Sequence, residues 1–208
     1  MEYPKLNSLF KRDHDTHKFT EEFSKPEFGS QQLWRIEEKI DGMNIRVYID
    51  GLNKVVTDIK GRTDAAKLPP QLRKYFSHHE QFNTTFKNMF LNGPTILYGE
   101  GFGKGIQSGG IYRNTVAFML FDIYLCGRWA TREEVHDVAL MLGFDHPHDY
   151  GLKTTEETLM FVKRKPLGNY GNADYPSEGI VARSEPLVRF NDRSANPVMW
   201  KLKVRDFD

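Results

Sequence analysis

The chain has 208 residues, 39% of them hydrophobic and 27% charged, with 29 Lys and Arg against 28 Asp and Glu. Length and composition are those of one ordinary globular domain, and no stretch nears the ~18 consecutive apolar residues of a membrane span, so a helical membrane protein is excluded. A net charge of +1 excludes recognition of a polyanion by the field of the whole molecule, so any nucleic-acid surface must be a local concentration of Lys and Arg.

The start, MEYPKLNSLFKRDHD, lacks an apolar run behind a basic end, which is not the pattern of a secretory signal. Cys126 is the one cysteine, so neither an intrachain disulfide nor a Cys-based zinc site is available. Together these give the expectation of a cytoplasmic protein without membrane partners. Residues 1–30 carry clustered charges and a turn-prone Lys25-Pro26-Glu27-Phe28-Gly29-Ser30, and read as a partly irregular lead-in packed on a main domain of residues 31–208.

From 33 to 49 apolar residues alternate in short runs. Asp50-Gly51 then separates 45–49 from 55–59, a hairpin signal. After Pro69-Pro70, the residues Leu72, Tyr75, Phe76, His79, Phe82, Phe86 and Met89 recur at helical spacing and predict an amphipathic helix of about five turns. Residues 95–100 and 115–125 read as strands, the second almost continuously apolar and so buried on both faces. Thr131 with Glu134 forms a capping box for a helix that Gly143 stops; Thr154 with Glu157 forms another, ended by Pro166. Residues 178–183 and 197–204 return to strands. Strand pairs joined by tight turns and interleaved with helices predict an α+β fold with antiparallel sheets.

Several segments carry chemistry. In Glu38-Lys39-Ile40-Asp41-Gly42-Met43-Asn44, a Lys and an Asp two apart on a strand-like segment point to the same side before Gly42. Taken alone this is a surface ion pair; a nucleophilic amine is its other use, and that needs desolvation or neighbouring cations. Lys201 and Lys203 in Met199-Trp200-Lys201-Leu202-Lys203-Val204 share one strand face, either as an exposed face or as a pair suited to a triphosphate that would also lower the pKa of a third amine nearby. Glu100 and Glu178 each adjoin glycines in strand contexts, which lets a ligand approach while the carboxylate binds a ribose hydroxyl or a metal-bound water. Phe118 and Phe121 have opposite strand parity, so only one can face a given pocket; core packing accounts for either by itself.

In this order the segments resemble the covalent nucleotidyltransferase superfamily of ATP-dependent ligases and mRNA capping enzymes. The resemblance runs over about residues 34–204: Lys39-Ile40-Asp41-Gly42 is similar to motif I with Lys39 as nucleophile, Gly61-Arg62-Thr63 to motif Ia, Tyr98-Gly99-Glu100 to motif III, Phe121-Asp122 to motif IIIa, Glu178-Gly179-Ile180-Val181 to motif IV and Lys201-Leu202-Lys203 to motif V. Asn44 after Lys39, and Gly99 to Gly110, resemble the phage-type, RNA ligase 2-like branch, whose best-known members carry His where Asp41 stands. The resemblance implies a nucleotidyltransferase domain, the ATP-grasp-like ligase adenylylation fold with antiparallel sheets flanked by helices. The reading has no OB domain or motif VI beyond Val204, which favours RNA over DNA ligases and capping enzymes.

The activity implied is joining of RNA 5′-phosphate and 3′-hydroxyl ends, in a nicked duplex or single strands, by a monomer using ATP and Mg²⁺ (or Mn²⁺) through a lysyl-AMP. Lys39, Lys201, Lys203 and Glu178 are the implied catalytic residues. Nucleotide contacts fall to Glu38, Ile40, Asn44, Arg62, Glu100, Phe121, Lys201 and Lys203, and a hydrated metal to Glu178 with Asp41. A ligase of nicked DNA and a non-catalytic nucleic-acid-binding relative are the alternatives. Three further clusters stay open: Asp145, His146, His148 and Asp149 as a metal site or a solvated turn, His78-His79 on the predicted helix, and Lys163-Arg164-Lys165 as a phosphate patch or a solvated helix end.

Overall fold

The computed structural model describes residues 1–30, 33–53, 55–77, 93–170, 176–193 and 195–208. In chain order the elements are β1 (Asn7–Ser8), β2 (Phe10–Arg12), β3 (Phe19–Phe23), α1 (Pro26–Ser30), β4 (Trp34–Lys39), β5 (Met43–Asp50), β6 (Val55–Gly61), α2 (Pro70–Ser77), β7 (Thr95–Phe102), β8 (Ala117–Leu125), β9 (Arg128–Trp129), α3 (Arg132–Leu142), β10 (Asp149–Lys153), α4 (Thr155–Lys163), β11 (Gly179–Ser184) and β12 (Met199–Lys203). They form two compact units: Met1–Tyr3 with Asp41–Pro147, and Pro4–Ile40 with His148–Asp208. No helix among the described residues is long and apolar enough to cross a membrane.

The unit containing Asp41–Pro147 is built on a five-stranded antiparallel sheet of order β6-β5-β7-β8-β9. Alternation along β5 sends Ile45, Val47 and Ile49 into a core shared with Leu72 and Phe76 of α2, Leu97 of β7, Phe118, Leu120 and Ile123 of β8, and Val135 and Ala139 of α3. Each fully buried aliphatic side chain of this kind contributes roughly 1.5–3 kcal/mol. The 45–49/55–59 hairpin predicted from Asp50-Gly51 is β5–β6, with a register irregularity after Tyr48. Helix α3 has the predicted capping box: Thr131 accepts from the Glu134 N–H, Glu134 accepts from the Thr131 N–H, and Gly143 takes a left-handed φ of 67° as the stop. The predicted helix after Pro69-Pro70 is present as α2 through Ser77; His78, His79, Phe82, Phe86 and Met89 lie outside the described residues.

The unit containing His148–Asp208 has a five-stranded sheet of order β1-β12-β11-β4-β10, antiparallel except for the β1–β12 pair, and a separate β2–β3 ribbon. Trp34, Ile36, Ile180, Ala182, Trp200 and Leu202 pack on one face of the sheet with Val162 of α4, the Trp34 and Trp200 ring centroids 5.2 Å apart. Helix α4 carries the second predicted capping box, Thr154 with Glu157. Residues 4–30 are more ordered than the sequence suggested: Leu9 and Phe28 are fully buried in this core, because short apolar positions between charges are enough to anchor two ribbon strands and one helical turn. Strands β9 and β10 had no distinct sequence signal, being two and five residues long.

Candidate active site

Strand register places the reactive candidates of the His148–Asp208 unit side by side. In the antiparallel trio β4-β11-β12, Gly179 lies opposite Lys39 on one side and Lys203 on the other, and Val181 lies opposite Glu37 and Lys201. Alternation puts these residues on the face away from Trp34, Ile36, Trp200 and Leu202, so the two lysines of β12 share a face, as their spacing predicted. Gly179 is required here by close approach: a Cβ would meet the Leu202 carbonyl oxygen at 2.1 Å and the Lys203 Cα at 2.7 Å.

Glu178, just ahead of β11, joins the outer row. Its Oε2 accepts from Lys39 Nζ at 2.7 Å and its Oε1 from Lys203 Nζ at 2.5 Å. The three side chains are only 19%, 14% and 20% exposed, so this bridged pair is shielded from much of the solvent. Lys39 Nζ also donates to the Ile40 carbonyl at 3.1 Å. Lys201 has no ion-pair partner among the described residues, and its pKa is held below the usual lysine range, first by burial and then by the ammonium groups of Lys39 and Lys203. Three amines around one carboxylate leave a net positive, partly dehydrated seat, which suits an anion such as a phosphate. Further along the same face, Arg183 and Glu37 form a buried ion pair at 2.6 Å.

Glu38 points the other way. It is 2% exposed, its carboxylate accepts from the Asn169 N–H at 3.0 and 3.1 Å, and burial raises its pKa. Asn169 Nδ2 in turn donates to the Tyr150 hydroxyl at 3.1 Å, whose pKa burial pushes up to about 12. Ile40 is buried at the end of this unit.

Strand β4, which belongs to the His148–Asp208 unit, ends at Lys39, so the alternation read from Lys39 to Asp41 does not extend to Asp41. Asp41 is instead held by the loop after β7: its N–H donates to the Tyr112 hydroxyl at 3.1 Å and its Oδ2 accepts from the Ser108 N–H at 3.3 Å. Gly42 lies so close to β7 that a Cβ would meet the Gly101 oxygen at 2.5 Å and Glu100 Cγ at 2.9 Å. Asn44 pairs in register with Glu100, and among the described residues its buried Oδ1 has no hydrogen-bond partner, an acceptor left for an incoming donor. Arg62 is exposed at the end of β6.

Phe118 packs in the core against Phe76 and Phe144, with ring centroids 5.3 and 4.9 Å apart. Phe121 falls at a bulge, since Tyr98 pairs with Asp122 and Gly99 with Leu120; it is half-buried, edge-on to Tyr3 at 5.0 Å. Tyr3 also donates to Asp122 at 2.5 Å, and Arg132 donates to the Phe121 carbonyl at 2.5 Å. Tyr3, Ser108, Tyr112, Glu37 and Arg183 were not singled out from the sequence. Their partners are distant in the chain and no local pattern marks them; the glycine-rich run 99–110 was the nearest signal.

Among the described residues, most side chains of the open clusters have partners. Asp145 pairs with Arg113 at 3.1 Å and Asp149 with Arg35 at 2.6 Å, His146 packs edge-on to His136, and His148 on Tyr150. Among the described residues no group of three ligating side chains is placed to cage a metal. Lys165 pairs with Asp208 and Lys163 lies 5.7 Å over the Phe207 ring, so two of the three charges at the end of α4 are engaged.

The RNA ligase family model matches residues 32–202, and the chain belongs to that family. Comparison with curated proteins returned no match. Among solved structures, an apo form of a Naegleria gruberi RNA ligase mutant superposes with a TM-score of 0.62 at 16% identity, over 97% of this chain and 61% of that one. A mutant of the same ligase with ATP and Mn gives 0.60 at 19%, over 83% and 50%, and the ligase with PPi gives 0.60 at 18%, over 97% and 61%. The chain thus spans about half to three-fifths of those proteins, and at these identities the likeness shows the shared α+β fold.

Proposed function

We propose that the chain is an ATP-dependent RNA ligase that joins 5′-phosphate and 3′-hydroxyl ends. The observation that carries this reading is the shielded cluster of Lys39, Glu178, Lys201 and Lys203, brought together from β4, β12 and the residue ahead of β11 in a chain of the RNA ligase family. Lys39 Nζ, once deprotonated, attacks the α-phosphorus of ATP; an N–P bond forms, the bond to pyrophosphate breaks, and the proton displaced from the amine passes to Glu178 or water. AMP then passes to the 5′-phosphate of RNA, and a 3′-hydroxyl displaces it as the phosphodiester forms. Lys201 and Lys203 hold the α-phosphate and balance its developing charge, in a seat that is organised before the reaction.

Glu100 is assigned to the ribose hydroxyls, Arg62 to the ribose or the incoming 5′-phosphate, Phe121 to adenine, and Asn44 to the neighbourhood of the α-phosphate. For Glu38 and Ile40 the main chain is the part left for the nucleotide, because the Glu38 carboxylate is taken by Asn169. Each Glu178 oxygen already accepts from a cation, the kind of donor a hydrated Mg²⁺ or Mn²⁺ presents, so this carboxylate fits the metal through water; Asp41 is the second carboxylate. When bound, the metal would supply charge neutralisation at the phosphate oxygens. Naegleria gruberi RNA ligase mutants solved with ATP and Mn, or with AMP and Mn, agree with that choice.

Incubation with α-labelled ATP and Mg²⁺ tests the reading. Covalent label on the wild type, absent from Lys39→Ala, is expected; no label, or label unchanged by Lys39→Ala, overturns it. GTP in the same assay addresses a capping-like activity. Sealing of nicked RNA against nicked DNA duplexes then separates RNA from DNA as the substrate. A monomer working in the cytoplasm, of the host where phage-encoded, completes the reading.

A further inference from the structure

Arg46 is a fully buried guanidinium on β5, on the face opposite Ile45, Val47 and Ile49. A charge so placed persists only where its donors are satisfied. Here Nε donates to the Gly61 carbonyl at 2.7 Å, Nη2 to the Asp64 carboxylate at 2.8 Å, and Nη1 to the Tyr48 hydroxyl at 2.8 Å and the Met1 carbonyl at 3.3 Å. The first two contacts bracket Arg62, one on the residue before it and one two residues after it. The same turn is tied twice more: the Asp64 N–H donates to Glu2 at 3.2 Å and the Ala66 N–H to the Thr63 carbonyl at 3.2 Å. Lys60 Nζ stands 3.8 Å from the same Asp64 oxygen.

Arg62 itself takes no part in this network. It is exposed, and among the described residues its guanidinium has no hydrogen-bond or ion-pair partner. A held backbone beneath a free guanidinium is the arrangement that serves bidentate capture of a phosphate, because the fork then has only its own side-chain torsions to settle.

We infer that Arg46 and Asp64 are positioning residues that clamp the 61–64 turn so that Arg62 meets the 5′-phosphate of the RNA strand. The inference rests on the ligase reading and deepens the part given there to Arg62. Asp64 is the residue to test, since its side chain is 68% exposed and its loss leaves the core filled.

The experiment uses the full chain pre-charged with labelled AMP and a 5′-phosphorylated nicked RNA duplex, and follows single-turnover transfer of AMP to the RNA. Arg62→Ala, Asp64→Ala and the double variant are compared, with thermal midpoints measured alongside. Asp64→Ala is expected to slow transfer about 10- to 100-fold, the size of a misplaced substrate-positioning group, and to lower the midpoint modestly, because Arg46 Nη2 loses its carboxylate. Asp64→Glu is expected to recover most of that loss. In the Arg62→Ala background Asp64→Ala should add no further loss. Equal slowing by Asp64→Ala with and without Arg62 overturns the clamp, as does normal transfer by Asp64→Ala when Arg62→Ala is slow. Failure of the wild type to charge defeats the ligase reading instead, and normal transfer by Arg62→Ala defeats the role of Arg62.

Discussion

The Lys39 ammonium and the Glu178 carboxylate stand 2.7 Å apart although 139 positions separate them in the chain. The contact exists because β4 and β11 are antiparallel neighbours with Lys39 in register with Gly179. Replacing Glu178 by Ala removes the one carboxylate that both Lys39 and Lys203 share. Lysyl-AMP formation is expected to fall by at least about 100-fold, the scale of losing one electrostatic group at a reacting centre. A loss of under about threefold in the α-labelled ATP assay would sink the assignment.

Gly179→Ala tests the spacing between the lysines. The added methyl would lie 2.1 Å from the Leu202 oxygen, so β12 has to move away from β11. A cost of about 1–3 kcal/mol is expected from overpacking, read from urea unfolding, together with weaker labelling as Lys203 shifts. Unchanged stability with full labelling would show that the strands do not pack as described.

Lys201 gives a pH signature. Its folded pKa lies below its unfolded value, so between the two the folded chain has released a proton that the unfolded chain retains. Stability of the wild type relative to Lys201→Met should therefore rise with pH through the alkaline range, up to about pH 10.4 where an ordinary lysine titrates. If charged Lys201 holds the α-phosphate, Lys201→Arg should carry labelling to higher pH than the wild type. Superimposable alkaline limbs would remove Lys201 from phosphate binding.

Glu38 behaves in the opposite sense. Burial raises its folded pKa above the unfolded value, so the folded chain keeps a proton that the unfolded chain has lost, and stability declines as pH rises from about 4.3 through the folded pKa. Glu38→Gln cannot titrate, yet its amide oxygen can still accept from Asn169. Thermal midpoints from pH 4 to pH 8 should show the wild type losing ground to Glu38→Gln as pH rises; a constant difference contradicts the buried carboxylate.

Much of the fold was legible because it is local. The capping boxes at Thr131 and Thr154, the Asp50-Gly51 hairpin and the two-residue spacing of Lys201 and Lys203 follow from hydrogen bonds and side-chain periodicities that span a few residues. Leu9 and Phe28 show as core residues only once Trp34 and Trp200 are there to pack against.

Sequence alone determined the α+β class, the order of the six motif segments and the identity of the amine and carboxylates worth testing. Tertiary structure decided which of them meet. It set Glu178 between Lys39 and Lys203, turned Glu38 to the opposite face to receive Asn169, moved Asp41 off the strand onto Ser108 and Tyr112, and buried Arg46 under the Arg62 turn. The physical reason is register: a one-residue change in strand pairing reverses every side chain, and register depends on the packing of whole sheets rather than on any short run of residues.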